Sequence, residues 1–208
     1  MSTPGVGSRV GPMTGRPRDP AVDAAIRAAV TEIVERDGYR GLSMEGIAAV
    51  SGVSKQTVYR RYRSKGEVVL DTLGGIAATR LPTPDTGSLL GDLTVLLTAT
   101  FEAQRTVSGT LNRALAAEAL QDPEFGALLW ERLIKVRREA VRELLARGRE
   151  RGEVVHPNDD HLIDLVFGPM WYRLLFDVPS LTWDYAAELA RSVTLVARGG
   201  KGPGHSRN

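Results

Sequence analysis

Apolar residues recur at helical spacing along most of the 208-residue chain. The first such stretch covers 19–38, and its apolar face consists of Val22, Ile26, Ala29, Val30, Ile33 and Val34. Asp19 is a suitable N-cap for this helix, Pro20 suits its first turn, and Gly38 can end it in a left-handed conformation. No segment shows sustained alternation of apolar and polar residues, so the pattern predicts an all-α fold.

Capping residues divide the remaining periodic stretches into separate predicted helices. Ser43, Ser54 and Ser64 each precede an apolar-periodic stretch, and Glu67 follows Ser64 at the spacing of a capping box. We therefore expect short helices at about 42–52 and 54–61, and a longer one from Ser64 to about Arg80. After the proline-containing loop "LPTPDTGS", the pattern predicts helices at roughly 85–106, 109–120, 123–151, 159–176 and 182–198.

The amino-acid composition of the chain excludes several kinds of site and indicates one class of partner. The chain has no cysteine, which excludes disulfides, thiolate metal sites and cysteine nucleophiles. No apolar run reaches the ~18 residues of a membrane span, and the N-terminal stretch lacks the apolar core of a signal peptide, so we expect a cytoplasmic protein. Residues 1–80 contain 12 Lys and Arg against 8 Asp and Glu, whereas residues 81–208 contain 15 against 17. A basic first third suggests a nucleic-acid contact at that end.

Residues 42–61 have the sequence form of a helix-turn-helix, because two short predicted helices are joined by a turn containing Gly52. Ile47, Val53 and Val58 are predicted to point inward and fix the second helix against the first. The residues predicted to face mainly outward are Lys55, Gln56, Thr57, Tyr59, Arg60 and Arg61. Their amide, hydroxyl and guanidinium groups can read base edges and hold phosphates. The alternative is a solvated helix hairpin whose basic residues serve only solubility.

The stretch "GLSMEGIAAVSGVSKQTVYRRYRSKGEVV" resembles the DNA-binding region of the TetR family of bacterial transcriptional regulators. The matching positions are Ser43, Ile47, Ala48, Gly52, Val53, Ser54, Thr57, Tyr59, Tyr62 and Lys65. The family usually has Phe at position 62, and Gly46 inside the second helix is unusual. Later segments, "QDPEF" and "FGPMWYRLLF" among them, are similar to one group of the family's C-terminal regulatory domains.

The resemblance implies a three-helix helix-turn-helix DNA-binding domain followed by a helical-bundle domain for effector binding and dimerisation. The expected parts are a disordered basic arm at 1–18, the DNA-binding domain at 19–79 with its motif at 42–61, the effector and dimerisation domain at 80–199, and a disordered tail at 200–208. Phosphate contacts are expected from Ser43, Tyr59, Tyr62 and Lys65. Base contacts are expected from Lys55, Gln56, Thr57 and Arg60, and the candidate DNA-binding set also includes Ser54 and Arg61.

The segment "TGRPR" at 14–18 resembles the Gly-Arg-Pro core of arms that lie in A·T-rich minor grooves. Arg16 and Arg18 would then contact DNA, and the alternative is a solvated disordered tail.

The resemblance also implies an effector cavity among the helices spanning 85–151, closed by the helix at 159–176. The candidate wall residues are Leu93, Leu97, Phe101, Leu115, Trp130, Leu133, Arg137 and Trp171. For any single tryptophan, filling a core is the favoured alternative, and for Arg137 and Glu118 a solvated position is favoured over an inward-facing one. The expected effector is an apolar or aromatic small molecule.

Broad apolar faces on the last two predicted helices favour pairing with a second copy of the chain. The candidate interface residues are Ile163, Val166, Phe167, Met170, Leu174, Leu189, Val193 and Val196. The alternative is a monomer in which these helices pack inward.

Together these features predict a homodimeric repressor that leaves a palindromic DNA operator when a small-molecule effector binds. An activator or a ligand-independent regulator is the alternative within the class, and a helical ligand-binding protein or an enzyme is the alternative from another class. The sequence has no nucleophile–base pair, P-loop or dinucleotide fingerprint, so no enzyme activity and no cofactor is predicted. His156, His161 and His205 lack the spacing of a zinc site, and no metal is predicted. The expected partners are double-stranded operator DNA, a second copy and an unidentified effector, with no membrane.

Overall fold

The computed structural model describes residues 19–80, 83–176 and 181–199, without the side chains of 77–80. Over these ranges the chain forms helices and no strand, as predicted. The helices are α1 (Pro20–Asp37), α2 (Met44–Ser51), α3 (Lys55–Arg61), α4 (Lys65–Arg80), α5 (Leu89–Gln104), α6 (Val107–Ala119), α7 (Pro123–Leu129), α8 (Lys135–Glu150), α9 (Asp159–Leu175) and α10 (Trp183–Ala197). A short 3₁₀ turn, Tyr39–Gly41, follows α1. Arg16 and Arg18 lie outside the described residues.

The predicted caps form, which explains why the helices begin close to their expected positions. The Asp19 carboxylate accepts a hydrogen bond from the Ala21 N–H at 3.0 Å. The Ser43 hydroxyl accepts one from Gly46 at 3.0 Å, and the Ser54 hydroxyl accepts one from the third residue of α3 at 3.2 Å. Each bond satisfies a backbone donor that has no partner within its own helix.

Gly52 provides the tight turn between α2 and α3. Its φ of 69° and ψ of 8° place it in the left-handed region, where a side chain would be strained. The two helices can therefore follow each other with only three residues between them.

The long helix predicted at 123–151 is interrupted. A π-helical turn at Trp130–Ile134 separates α7 from α8, although the chain remains helical through the junction. A π turn contains more than 3.6 residues, so it rotates the faces of the two flanking helices relative to each other. As a result, Trp130 lies at the surface with 46% of its area exposed, while Leu133 is buried.

The described helices pack around two hydrophobic clusters. The first combines α1–α4 with buried residues of α6, α7 and the π turn, such as Leu111, Leu115 and Leu129. The second is formed by α5, α8, α9 and α10. The helix-turn-helix thus shares a core with α6 and α7 and is in direct packing contact with them. No helix in the described ranges is long and apolar enough to cross a membrane.

Candidate DNA-binding surface and helical-domain cavities

The recognition helix α3 is fixed to the protein through one face. Val58 is fully buried, and the Arg61 guanidinium forms an ion pair with Asp23 of α1. Immediately after α3, Tyr62 is only 7% exposed, and its hydroxyl donates a hydrogen bond to Asp71 Oδ2 of α4 at 3.0 Å. Burial, followed by the nearby Asp71 charge, raises the pKa of Tyr62.

These contacts bear on two of the candidate DNA-binding residues. Arg61 has a carboxylate partner within the subunit, and Tyr62 is a core residue with an internal hydrogen-bond acceptor. Both side chains are therefore engaged inside the subunit, Arg61 with α1 and Tyr62 with α4. The Phe that the family usually has at position 62 would fill the same space without the hydroxyl.

The opposite face of α3 is open. Lys55, Gln56 and Arg60 are exposed, and Thr57 is half-buried beside the Ser54 cap. Tyr59 is 49% exposed, and its hydroxyl donates a hydrogen bond to Glu45 Oε1 of α2 at 2.7 Å. That bond lowers the pKa of Glu45 and raises the pKa of Tyr59.

Three further candidate residues lie at helix starts beside this face. The Ser43 and Ser54 hydroxyls cap α2 and α3, and Ser54 also donates to the Thr57 hydroxyl at 2.9 Å. Lys65 opens α4, and its ammonium lies 4.4 Å from the centroid of the Tyr39 ring. Helix N-termini attract phosphate because their first N–H groups point outward, so the ends of α2, α3 and α4 suit a DNA backbone.

Glu118 of α6 joins the DNA-binding helices to the rest of the chain. The Tyr39 hydroxyl donates to Glu118 Oε2 at 3.0 Å, and burial, followed by the Glu118 charge, raises the pKa of Tyr39. Gly66 of α4 allows this approach, because a Cβ there would lie 2.3 Å from Glu118 Oε1. We call the group formed by Tyr39, Glu118, Lys65 and Gly66 the α4–α6 latch.

Two cavities lie in the helical part of the described chain. The first, of about 320 Å³, is lined by Asn112, Leu133, Ile134, Arg137, Arg138, Asp164, Phe167, Gly168, Met170 and Trp171. The second, of about 470 Å³, is lined by Gly74, Thr83, Leu96, Thr100, Arg132, Leu133, Val136, Arg137, Glu139, Ala140, Glu143 and Phe167. Leu133, Arg137 and Phe167 border both. Each volume is in the range of small-molecule sites.

The residues expected on the cavity wall fall into two groups. Leu133, Arg137 and Trp171 line the cavities. Four others, at most 1% exposed, fill the packed cores and line neither space: Leu93, Leu97, Phe101 and Leu115. Trp130 lines neither of these two cavities; it is partly exposed beside a separate space of about 290 Å³, where the Arg138 guanidinium lies 5.8 Å from the centroid of its ring.

Sequence reasoning missed several lining residues. Leu96 and Thr100 of α5 line the larger cavity, whereas their neighbours Leu93 and Leu97 face the core. Thr100 is a polar residue within an otherwise apolar stripe, a signal that could have marked the cavity side of the helix. Asn112, buried on α6, is a second such signal.

The candidate interface residues of α9 and α10 lie inside the subunit. Six of them are at most 8% exposed: Ile163, Val166, Met170, Leu174, Leu189 and Val193. Phe167 and Val196 are half-buried and pack against the same cluster. The six buried side chains fill the subunit core, whereas Phe167 and Val196 keep part of their surface exposed.

Other residues of α9 form an exposed apolar stripe. Leu165 is half-buried, Gly168 is exposed, and Tyr172, Leu175 and Phe176 are between 45% and 71% exposed. Their spacing of three or four residues places them on one side of the helix. We call this set the α9 stripe. No group of three possible metal-ligating side chains occurs within the part of the chain that the structure describes.

An open, basic recognition helix on a helix-turn-helix, joined to a helical domain with cavities, defines a DNA-binding regulator. Comparison with known families agrees. Residues 25–72 match the model of bacterial regulatory proteins of the tetR family, and residues 83–193 match the tetracyclin repressor-like C-terminal domain. The chain therefore belongs to the TetR family of bacterial transcriptional regulators.

Individual relatives support the same assignment. The uncharacterized HTH-type transcriptional regulator YdeS of Bacillus subtilis (strain 168) is 31% identical over 176 residues, covering 84% of this chain and 89% of YdeS. The DNA-binding transcriptional repressor TetR of Mycobacteroides abscessus is 38% identical over 71 residues, covering 34% of this chain and 37% of that protein. The crystal structure of the TetR family regulator SCO0332 superimposes with a TM-score of 0.74 at 29% identity, covering 88% and 99% of the two chains. The names of these proteins describe transcriptional regulators. The chain, as a member of the same family, is a transcriptional regulator and not an enzyme.

Proposed function

We propose that the protein is a repressor that binds a palindromic operator as a homodimer and is released from it by a small-molecule effector. The observation that carries the proposal is the division of α3 into two faces. Val58 and Arg61 hold one face within the subunit, whereas Lys55, Gln56 and Arg60 on the other are exposed. A surface helix with an open polar and basic face beside three helix N-termini suits a major groove.

Within this proposal the exposed side chains divide by chemistry. Lys55, Gln56, Thr57 and Arg60 reach base edges, because amide and cationic side chains can form bidentate contacts there. Tyr59, Lys65 and the caps Ser43 and Ser54 contact phosphates, which fixes the position of the helix without reading sequence. Tyr59 must then exchange its bond to Glu45 for one to the DNA backbone.

Release by an effector is supported by the position of α4. This helix begins at Lys65 beside the recognition helix, and its Gly74 lines the larger cavity. An effector that binds better to one tilt of α4 would change the spacing of the two recognition helices in a dimer. A coupling of ~2–3 kcal/mol would weaken operator binding roughly 30- to 150-fold.

The α9 stripe supports the homodimer. It is a contiguous exposed apolar surface along one side of a helix, and such surfaces mark interaction sites. Pairing of two copies about a two-fold axis would place two recognition helices in successive major grooves ~34–36 Å apart, which calls for a palindromic site.

Selection of bound sequences from a random DNA pool tests the proposal. We expect a palindromic consensus, which Gln56→Ala relaxes at one symmetry-related position in each half-site. Lys65→Ala, as the matched comparison, should weaken binding to all sequences and reduce the salt slope by about one unit. Recovery of no consensus, or of a single unrepeated half-site, would contradict the proposed mode of binding.

A further inference from the structure

Arg137 of α8 is a cation without a partner. It forms no ion pair or hydrogen bond with any other residue in the described part of the chain, and its Nε is closed off from solvent. Burial lowers the pKa of its guanidinium. Arginine nevertheless stays protonated in proteins, so the positive charge remains uncompensated.

Other buried or half-buried charges in the same domain are compensated. The fully buried Asp92 accepts hydrogen bonds from the backbone and hydroxyl of Thr86, and Arg151 lies 3.3 Å from it. Arg138, next to Arg137 in sequence, pairs with Asp160 at 2.9 Å and Asp164 at 2.6 Å. Arg137 is half-buried with its Nε closed off, and a charge at such a position ordinarily has a partner, so the absence of one requires an explanation.

The surroundings of Arg137 indicate what is missing. Arg137 lines both cavities, and the smaller one also contains Asn112, which is 1% exposed. Asn112 Nδ2 donates to Gln104 Oε1 at 2.9 Å, while Asn112 Oδ1 and Gln104 Nε2 have no partner. If both amides rotate by half a turn, the bond between them reverses and Asn112 Nδ2 becomes a free donor on a residue that lines the same cavity as Arg137.

We propose that the smaller cavity binds an amphipathic carboxylate, with its carboxylate on Arg137 and Asn112 and its apolar body against Leu133, Phe167, Met170 and Trp171. This inference rests on the proposed function, because it names the ligand class of the effector site. A neutral apolar effector, the expectation from sequence, would leave the guanidinium unpaired.

A single negative charge fits better than two. One guanidinium balances one carboxylate, whereas the second charge of a phosphate monoester would have no cation. The nearest other arginine on the cavity wall, Arg138, is already held by two carboxylates. Glu139 and Glu143 line the adjoining cavity and would repel a dianion further.

The first test uses the protein without any ligand. Arg137→Met keeps the apolar volume and removes a charge that has no partner, so we expect the Tm to rise by about 2–8 °C. The matched control is Arg138→Met, which should lower the Tm because it leaves Asp164 without its cation and removes one of the two that pair with Asp160. A fall in Tm for Arg137→Met as large as that of the control would overturn the proposal, whether or not a ligand is at hand.

The second test compares matched probes by calorimetry in the absence of DNA: 2-naphthylacetate with 2-naphthylacetamide, and decanoate with decanamide. We expect at least one carboxylate to bind about 10- to 100-fold more tightly than its amide, since hydrogen bonds to a charged group are the stronger ones. Arg137→Gln should abolish that preference, and Arg138→Gln should retain it. Equal binding of acid and amide, or unchanged carboxylate affinity in Arg137→Gln, would overturn the proposal.

The two proposals fail in different ways. A carboxylate that binds through Arg137 and leaves operator affinity unchanged supports the ligand assignment and contradicts release by an effector. An amide that binds as tightly as its acid and still releases the operator contradicts the ligand assignment and supports release.

Discussion

Two tyrosines three residues apart illustrate how different environments separate the roles of similar side chains. Tyr59 is half exposed and its hydroxyl lies on the surface, whereas Tyr62 is buried against α1 and α4. In the sequence both are aromatic residues within a basic run, and the sequence alone predicts a phosphate contact for each. Tyr59 lies within α3, whereas Tyr62 follows the end of the helix with an extended backbone (φ −136°, ψ 132°), and its side chain is buried in the core.

Removing the hydroxyl of Tyr59 should therefore affect operator binding, whereas removing that of Tyr62 should affect stability. Tyr59→Phe is expected to weaken operator binding about 5- to 20-fold, by loss of one phosphate contact, with an unchanged Tm. Tyr62→Phe is expected to lower the free energy of unfolding by about 1–2 kcal/mol, because Asp71 loses a donor, with little change in operator affinity. Gel shifts and thermal unfolding of both variants measure the two quantities. A large loss of DNA binding in a fully folded Tyr62→Phe protein would restore the phosphate role.

Half-buried Tyr39 and buried Tyr62 also predict a response to alkaline pH. The pKa values of Tyr39 and Tyr62 are raised in the folded protein, so above the ordinary tyrosine value of ~10 the unfolded chain loses protons that the folded chain keeps. Their contribution is fully present below pH ~10 and is lost as the pH rises beyond it. We expect the double variant Tyr39→Phe, Tyr62→Phe to lose less free energy of unfolding between pH 9 and 11 than the wild type. Urea unfolding at the two pH values measures this difference. An equal loss of free energy of unfolding in the wild type and the double variant would contradict the prediction.

At the scale of elements, the helix boundaries follow closely from the sequence because they depend on local chemistry. Asp19, Ser43 and Ser54 cap the helices that follow them, and Gly52 takes the left-handed turn. The π turn at Trp130–Ile134 has no local marker, since the chain there has neither proline nor a capping residue. The cavities were located only approximately, because which side of α5 faces a space depends on how distant helices pack against it.

The α4–α6 latch is a contact between distant parts of the chain, because Tyr39 and Glu118 are 79 positions apart. A local sequence pattern could not predict it. Tyr39→Phe and Glu118→Gln should each destabilise the fold, and the double variant should be less destabilised than the sum. We expect a coupling of about 1 kcal/mol in a double-mutant cycle measured by urea unfolding. Glu118→Gln combined with Tyr172→Phe is the control, because Tyr172 belongs to the distant α9 stripe. Additive effects of the latch pair, within error of the control, would show that the hydrogen bond carries no energy.

At the scale of the whole molecule, the two clusters explain how a small chain can both hold DNA and respond to an effector. The helix-turn-helix shares its cluster with α6, α7 and Leu133 of the π turn, and Leu133 also lines both cavities. A ligand in either cavity is therefore one side chain away from the core of the DNA-binding helices. The second cluster, formed by α5, α8, α9 and α10, packs against the buried side of α9, the helix that carries the α9 stripe.

The α9 stripe also predicts the oligomeric state of the protein. If the α9 stripe pairs with a second copy, the wild-type protein has twice the single-chain mass of 22.5 kDa. Tyr172→Glu, at the centre of the stripe, should produce a monomer, because two like charges would face each other across the two-fold axis. The same variant should lose operator affinity by 100-fold or more, since one recognition helix then binds alone.

The matched control is Leu120→Glu, which places the same charge on an 87% exposed leucine after α6, outside the stripe. It should remain a dimer and bind the operator as the wild type does. Light scattering at micromolar concentration measures the mass, and circular dichroism verifies that both variants stay helical. A Tyr172→Glu protein that remained dimeric would place the interface elsewhere, and a monomeric wild type that still bound a palindrome tightly would refute the role of the stripe in operator binding.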